Sequence, residues 1–205
     1  MTPPPSSRPA MVRLVGLVGI LGGLALLAAF AVEIPDAWNA ARLILFLAGA
    51  IAVAVAVHPW HAHDAPPLAL AGAVPLVIAS AWSMAWVVLS VGREQPFGGD
   101  FGLIGFYASL AVWIAHAWFG LYALRIGVLW RPATFVLIAG SLLAITGMDR
   151  LELTTPTNRT SFEPLSLLGI ALNGAAWVLL GTQITVGRVR PSANLRATTP
   201  STGSG

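Results

Sequence analysis

Cysteine is absent from the 205 residues, which excludes disulfides, thiolate metal sites, iron–sulfur clusters and cysteine nucleophiles. Lysine is absent as well: all 11 basic residues are arginine, set against 8 Asp and Glu, and charged residues make up only 9% of the chain. The net charge of +3 is scattered among apolar runs rather than gathered on one face or stripe, so no nucleic-acid partner is expected. Long polar stretches are missing too. The intervals between apolar runs stay within roughly 20 residues, whereas a soluble domain needs about 50 or more, so any function is carried in or beside the apolar segments. No P-loop, nucleotide fingerprint or Ser-His-Asp constellation is present. Gly98-Gly99-Asp100 precedes a helical run but lacks the strand and spacing those motifs require.

Hydrophobic residues make up 57% of the chain and the mean hydropathy is +0.80, far from the soluble average, so the solvent for most of the chain is lipid. A straight crossing needs about 20 apolar residues in helical form, because only a helix or a closed barrel satisfies the backbone without water. Six stretches meet the test: 11–32, 38–57, 67–91, 102–129, 132–148 and 164–186, the fifth being the shortest. A barrel would alternate apolar and polar positions, whereas 44–57 and 165–180 are apolar on successive positions. The expected fold is therefore an all-α polytopic transmembrane bundle of six spans over 11–188, flanked by disordered tails at 1–10 and 189–205 rich in Pro, Ser and Thr.

Arginine placement sets the expected orientation. With the N-terminus cytoplasmic, Arg8, Arg13, Arg125, Arg131, Arg188, Arg190 and Arg196 fall inside, and only Arg42, Arg93, Arg150 and Arg159 outside. Both termini are thus expected in the cytoplasm. Of the acids, Asp64 alone falls on the inner side. The first span, preceded by Arg8 and Arg13 and ending in Ala29-Phe30-Ala31, has the outline of a signal peptide, but its apolar run exceeds the usual length of about 7 to 15 residues. It is read as a retained helix. The composition suits a GC-rich bacterial genome, and the expected location is a bacterial inner membrane. The expected partners are the lipid bilayer and other membrane subunits.

Polar groups at membrane depth are the first candidates for a site, because burying them in hydrocarbon is costly without a partner or a purpose. His116 lies near the middle of the fourth span, with Trp113 three residues before it and so on a neighbouring part of the helix surface. Ser80, Trp82 and Ser83 on the third span, Ser141 on the fifth, and Asn173 and Trp177 on the sixth fall at similar depth. A polar and aromatic layer is expected there. Two readings apply: a site for a haem, pigment, quinone or substrate held by His116, Trp113, Asn173 and Trp177, or interhelical hydrogen bonding that serves packing alone. With no second intramembrane His, a bis-His haem is not expected, and the cofactor is left unassigned.

A second candidate is the turn holding His58, His61, His63 and Asp64, enough donors for one Zn²⁺ or a similar ion in a flexible loop, although no established spacing is matched. A third is the charged outer segment 149–163, whose default is a solvated loop. Gly19 and Gly23 form a GxxxG pair in the first span, and Gly169, Asn173 and Gly181 line the sixth. These are expected to bring helices together within the chain. Residues 85–89 and 176–180 echo each other, and each is followed by Val-Gly-Arg, the pattern an inverted repeat of three plus three helices would leave. Two functions follow from this inventory. One is a non-catalytic accessory or scaffold subunit of a membrane complex; the other is a transporter component with a site around His116.

Overall fold

The structure, a computed structural model, describes residues 8–31, 36–64, 66–91, 99–146 and 164–186, with side chains at 10–28, 40–59, 66–91, 104–146 and 165–186. Its six helices are α1 (Arg8–Ala31), α2 (Asp36–Asp64), α3 (Pro66–Ser90), α4 (Gly99–Ile126), α5 (Arg131–Thr146) and α6 (Pro164–Thr185). Five of them are long and apolar enough to cross a membrane; α5 is apolar but shorter, with 16 residues. At a rise of 1.5 Å per residue α5 spans about 24 Å, short of a hydrocarbon core of about 30 Å.

Prolines mark where several helices begin. Pro66, Pro132 and Pro164 occupy first-turn positions of α3, α5 and α6, where the missing N–H would have had no intrahelical partner. Gly127 ends α4 with a φ of 79°, the left-handed conformation that glycine adopts without steric cost, while its N–H donates to Ala123 O at 2.9 Å. Two prolines instead lie inside helices, Pro59 in α2 and Pro75 in α3. Pro75 cannot donate to Ala71 O one turn earlier. That carbonyl receives the Nε1–H of Trp118 from α4 at 3.0 Å, so a neighbouring helix replaces the lost donor.

Each helix packs on the next in chain order, and α6 packs extensively on α1, closing a six-helix ring. The closing seam is glycine on glycine. A Cβ at Gly23 would lie 2.6 Å from Gly174 O, and one at Gly181 would lie 2.6 Å from Gly16 O. The pairing runs antiparallel, so the start of α1 and the end of α6 share one end of the bundle. Gly19 turns partly to α2, where a Cβ would meet Val53 at 2.7 Å. The small residues thus serve packing within the chain.

On α1, which is apolar all round, inside and outside differ in side-chain size rather than polarity. On α1, Leu14, Leu17, Leu21 and Leu24 are exposed while Gly16, Gly19, Gly22 and Gly23 are buried. Leucines at a spacing of three and four form the outer stripe, and glycines let the backbones of α2 and α6 approach.

A buried polar and aromatic layer as the candidate site

Across the middle of the ring, α4 carries His116, which has no exposed surface. Its Nδ1 lies 2.7 Å from Val112 O. A carbonyl only accepts, so Nδ1 carries the hydrogen, and in the neutral ring Nε2 keeps its lone pair. Nε2 is buried and has no hydrogen-bond partner among the described residues. Three aromatic rings surround the imidazole: Phe46 of α2 stacks on it at 5.4 Å and 14°, Trp177 of α6 meets it edge-on at 5.4 Å and 88°, and Trp113 is tilted at 5.9 Å. Phe119 stacks on Trp177 at 6.1 Å.

Asn173, also fully buried, links Trp177 to Ser141. Its Oδ1 accepts from Trp177 Nε1 at 3.1 Å, and its Nδ2 donates to Ser141 Oγ at 2.7 Å. The Ser141 hydroxyl in turn donates to Leu137 O at 2.7 Å. One chain of polar contacts therefore runs from α5 through α6 to the indole against His116. Buried hydrogen bonds of this kind average about 0.6 kcal/mol in membrane bundles, but an unpaired indole N–H or amide at this depth costs more.

The expected residues His116, Trp113, Asn173 and Trp177 are thus brought together, with Ser141 alongside. Trp82 is not among them. It is 43% exposed, whereas Ser80 and Ser83 of the same helix are buried, because positions two apart point to opposite sides of a helix. Ser80 Oγ is buried without a partner among the described residues. Phe46 and Phe119, which supply ring faces to the layer, carry no sequence signal that separates them from ordinary apolar packing.

The expected flexible metal-binding turn is not a turn. α2 remains helical through Pro59 to Asp64. His58 is half-buried, with Nδ1 unpartnered among the described residues, and lines a shallow apolar groove of about 220 Å³ with Val55, Val74 and Ile78. The side chains of His61, His63 and Asp64 lie outside the described residues, as does the segment 149–163. Among the described residues no group of three His, Asp or Glu gathers as a metal site. The echoed pentapeptides occupy different surroundings. Trp86 packs over Gly105 at the α3–α4 seam, whereas Trp177 lies fully buried in the central layer.

Chemically, the layer offers one imidazole with an anchored Nδ1–H and an Nε2 without a partner among the described residues, the arrangement that suits acceptance of a hydrogen bond or ligation of a metal. In this conformation the site is enclosed, since neither His116 nor Asn173 reaches the surface. Compared with models of known protein families, with curated proteins and with solved structures, the chain matches none of them.

Proposed function

We propose that the chain is a six-crossing integral membrane protein, with both termini in the cytoplasm, that serves as a non-catalytic subunit of a larger membrane assembly. The observation that carries this reading is the filled interior. Aromatic rings and hydrogen-bonded polar groups occupy the ring centre, with His116, Asn173 and Trp177 buried to within 1% exposure, so the outer surface is the part open to partners. That surface is apolar at lipid depth, with Leu21, Val55, Ile78, Ile114 and Phe135 exposed. The shortness of α5 is compatible with crossing. It pairs with α6 from the Trp130 N–H on Gln183 Oε1, at 2.8 Å, to the Ser166 hydroxyl on Ala144 O, at 3.3 Å. A deficit of a few ångströms costs only fractions of a kcal/mol per Å through local thinning of the bilayer. Orientation is supported by Arg13, Arg125 and Arg131 at the end shared by the start of α1 and the end of α6, the cytoplasmic side under the positive-inside rule.

Extraction from the native membrane in mild detergent, followed by mass measurement of the intact particle, tests the subunit reading. A stoichiometric partner is expected, giving a particle heavier than the chain's own 21.4 kDa. A solitary chain that moves solute across liposomes would instead establish transport.

Transport is the second reading, favoured by the Nε2 of His116 and Oγ of Ser80, buried in the interior without a partner among the described residues, polar atoms that a second conformation would expose to water. The absence of cysteine makes this directly testable, because single cysteines are the only thiols. For the closed interior, Ser80→Cys and Ser141→Cys remain unlabelled by water-soluble maleimides from either side, while Ser6→Cys and Ser201→Cys in the tails label from the cytoplasmic side alone. Labelling of the two interior positions would open an aqueous path and sink the closed-ring reading; labelling of the tails from outside would reverse the topology.

A further inference from the structure

At the end of the bundle that carries the end of α4, a second groove of about 460 Å³ opens between α3 and α4, lined by Leu68, Leu121, Tyr122, Leu124 and Arg125. The wall of this groove is fixed. Tyr122 leans on Gly72 of α3, where a Cβ would lie 3.0 Å from its own Cβ, and it packs on Trp118 with ring centroids 5.1 Å apart. Trp118 is itself tied to α3 through Ala71 O. Below this fixed contact the helices leave an opening faced by leucines, and among the described residues its cation is Arg125, in the last turn of α4. The guanidinium is exposed and has no ion-pair or hydrogen-bond partner among the described residues.

We propose that this groove is a binding site for an anionic phospholipid, with the phosphate on Arg125 and an acyl chain against Leu68, Leu121 and Leu124. Three features of the site converge on this ligand. The apolar lining matches a hydrocarbon chain and would hold a soluble anion poorly. The guanidinium presents paired N–H donors that suit phosphate geometry. Its position at the end of the apolar stretch Ile104–Ile126 is the headgroup level, to which arginine side chains snorkel. Basic pockets between helices at this level are where lipid phosphates are held. The inference rests on the helices crossing a bilayer and is independent of the subunit reading: a solitary chain that retains anionic lipid would remove that reading and leave this one standing.

The test is native mass spectrometry of the purified full chain in detergent, titrated with dioleoyl-phosphatidylglycerol, dioleoyl-phosphatidylcholine or glycerol phosphate. One equivalent of phosphatidylglycerol is expected to be retained in preference to phosphatidylcholine, with no retention of glycerol phosphate. Arg125→Gln is expected to weaken phosphatidylglycerol by about fivefold, the contribution of one arginine near a membrane surface. Arg125→Lys retains most of the binding, and Arg131→Gln, outside the groove, retains all of it. Equal retention of the two lipids by the wild-type chain overturns the proposal, and does so even if Arg125→Gln fails to fold. So does an equal loss in Arg125→Gln and Arg131→Gln, which would describe a diffuse basic end rather than a site. Glycerol phosphate binding as tightly as the lipid would make the site a soluble-anion site and overturn the lipid assignment.

Discussion

Gly169→Ala is expected to destabilise the bundle by about 1–3 kcal/mol or more, the range for overpacking a filled interior. The reason is the identity of the atoms the new methyl would meet. At Gly169 a Cβ would run into Ala144 N, Gly140 O and Leu143 C, all backbone atoms of α5, and backbone within a helix cannot rotate aside. The helices would have to separate. Separation also weakens the Asn173–Ser141 bond of 2.7 Å and the Ser166–Ala144 bond of 3.3 Å, which bridge the same seam. Gly120→Ala is the matched comparison. There the closest atom is Ile138 Cγ1 at 2.6 Å, a side-chain atom of α5 rather than backbone, though one held close to a single rotamer because Ile is β-branched and helical. Replacing a helical glycine with alanine also recovers about 1 kcal/mol of helix propensity, so Gly120→Ala is expected to cost less than Gly169→Ala. Unfolding of each variant by titration of SDS into mild detergent, followed by tryptophan fluorescence, measures the difference. Equal midpoints for Gly169→Ala and Gly120→Ala would show that the α5–α6 approach is looser than its geometry.

Much of this fold is legible in the residues because lipid leaves the backbone few options. Long apolar runs in hydrocarbon become helices, and the six expected segments correspond to α1 through α6, with most ends shifted by no more than three residues. The end of α2 departs most. Pro59 and the polar stretch around His58 suggest a break after position 57, yet the helix runs seven residues further to Asp64. A proline removes its own N–H and crowds one carbonyl, a cost that a helix packed among neighbours can absorb, so local sequence does not settle whether the helix stops there.

The candidate layer was legible in its polar members and illegible in its apolar ones. His116, Asn173 and Ser141 stand out because polar groups are scarce at membrane depth. Phe46, which stacks on His116, lies in an uninterrupted apolar run where nothing separates an inward ring from a lipid-facing one. Trp82 shows the same ambiguity in reverse. Depth is encoded in position along the chain, but direction depends on which neighbours surround each helix, and that order comes from tertiary packing. The closure of α6 on α1 is of this kind as well: glycines at 16, 23, 174 and 181 mark close approaches, yet only the ring pairs the first two with the last two.

Trp118→Phe is expected to cost about 1–3 kcal/mol, and the cost is expected to depend on a residue of another helix. Phenylalanine retains an aromatic ring toward lipid but lacks the indole N–H, so Ala71 O loses the donor it now receives at 3.0 Å. Where the bundle surface faces hydrocarbon no water replaces it, and a carbonyl left unsatisfied there carries a penalty of that size. The need for an external donor arises because residue 75, one turn on, is proline. In Pro75→Ala the amide of residue 75 can close the ordinary helical bond to Ala71 O, and the indole becomes redundant. The two substitutions are therefore expected to be strongly non-additive. In a double-mutant cycle Trp118→Phe costs little in the Pro75→Ala background, and the coupling recovers most of the single-variant penalty. Loss of general packing by the smaller ring would weigh equally in both backgrounds, so additive effects would assign the role of Trp118 to its bulk, and a coupling above about 1 kcal/mol would assign it to the N–H.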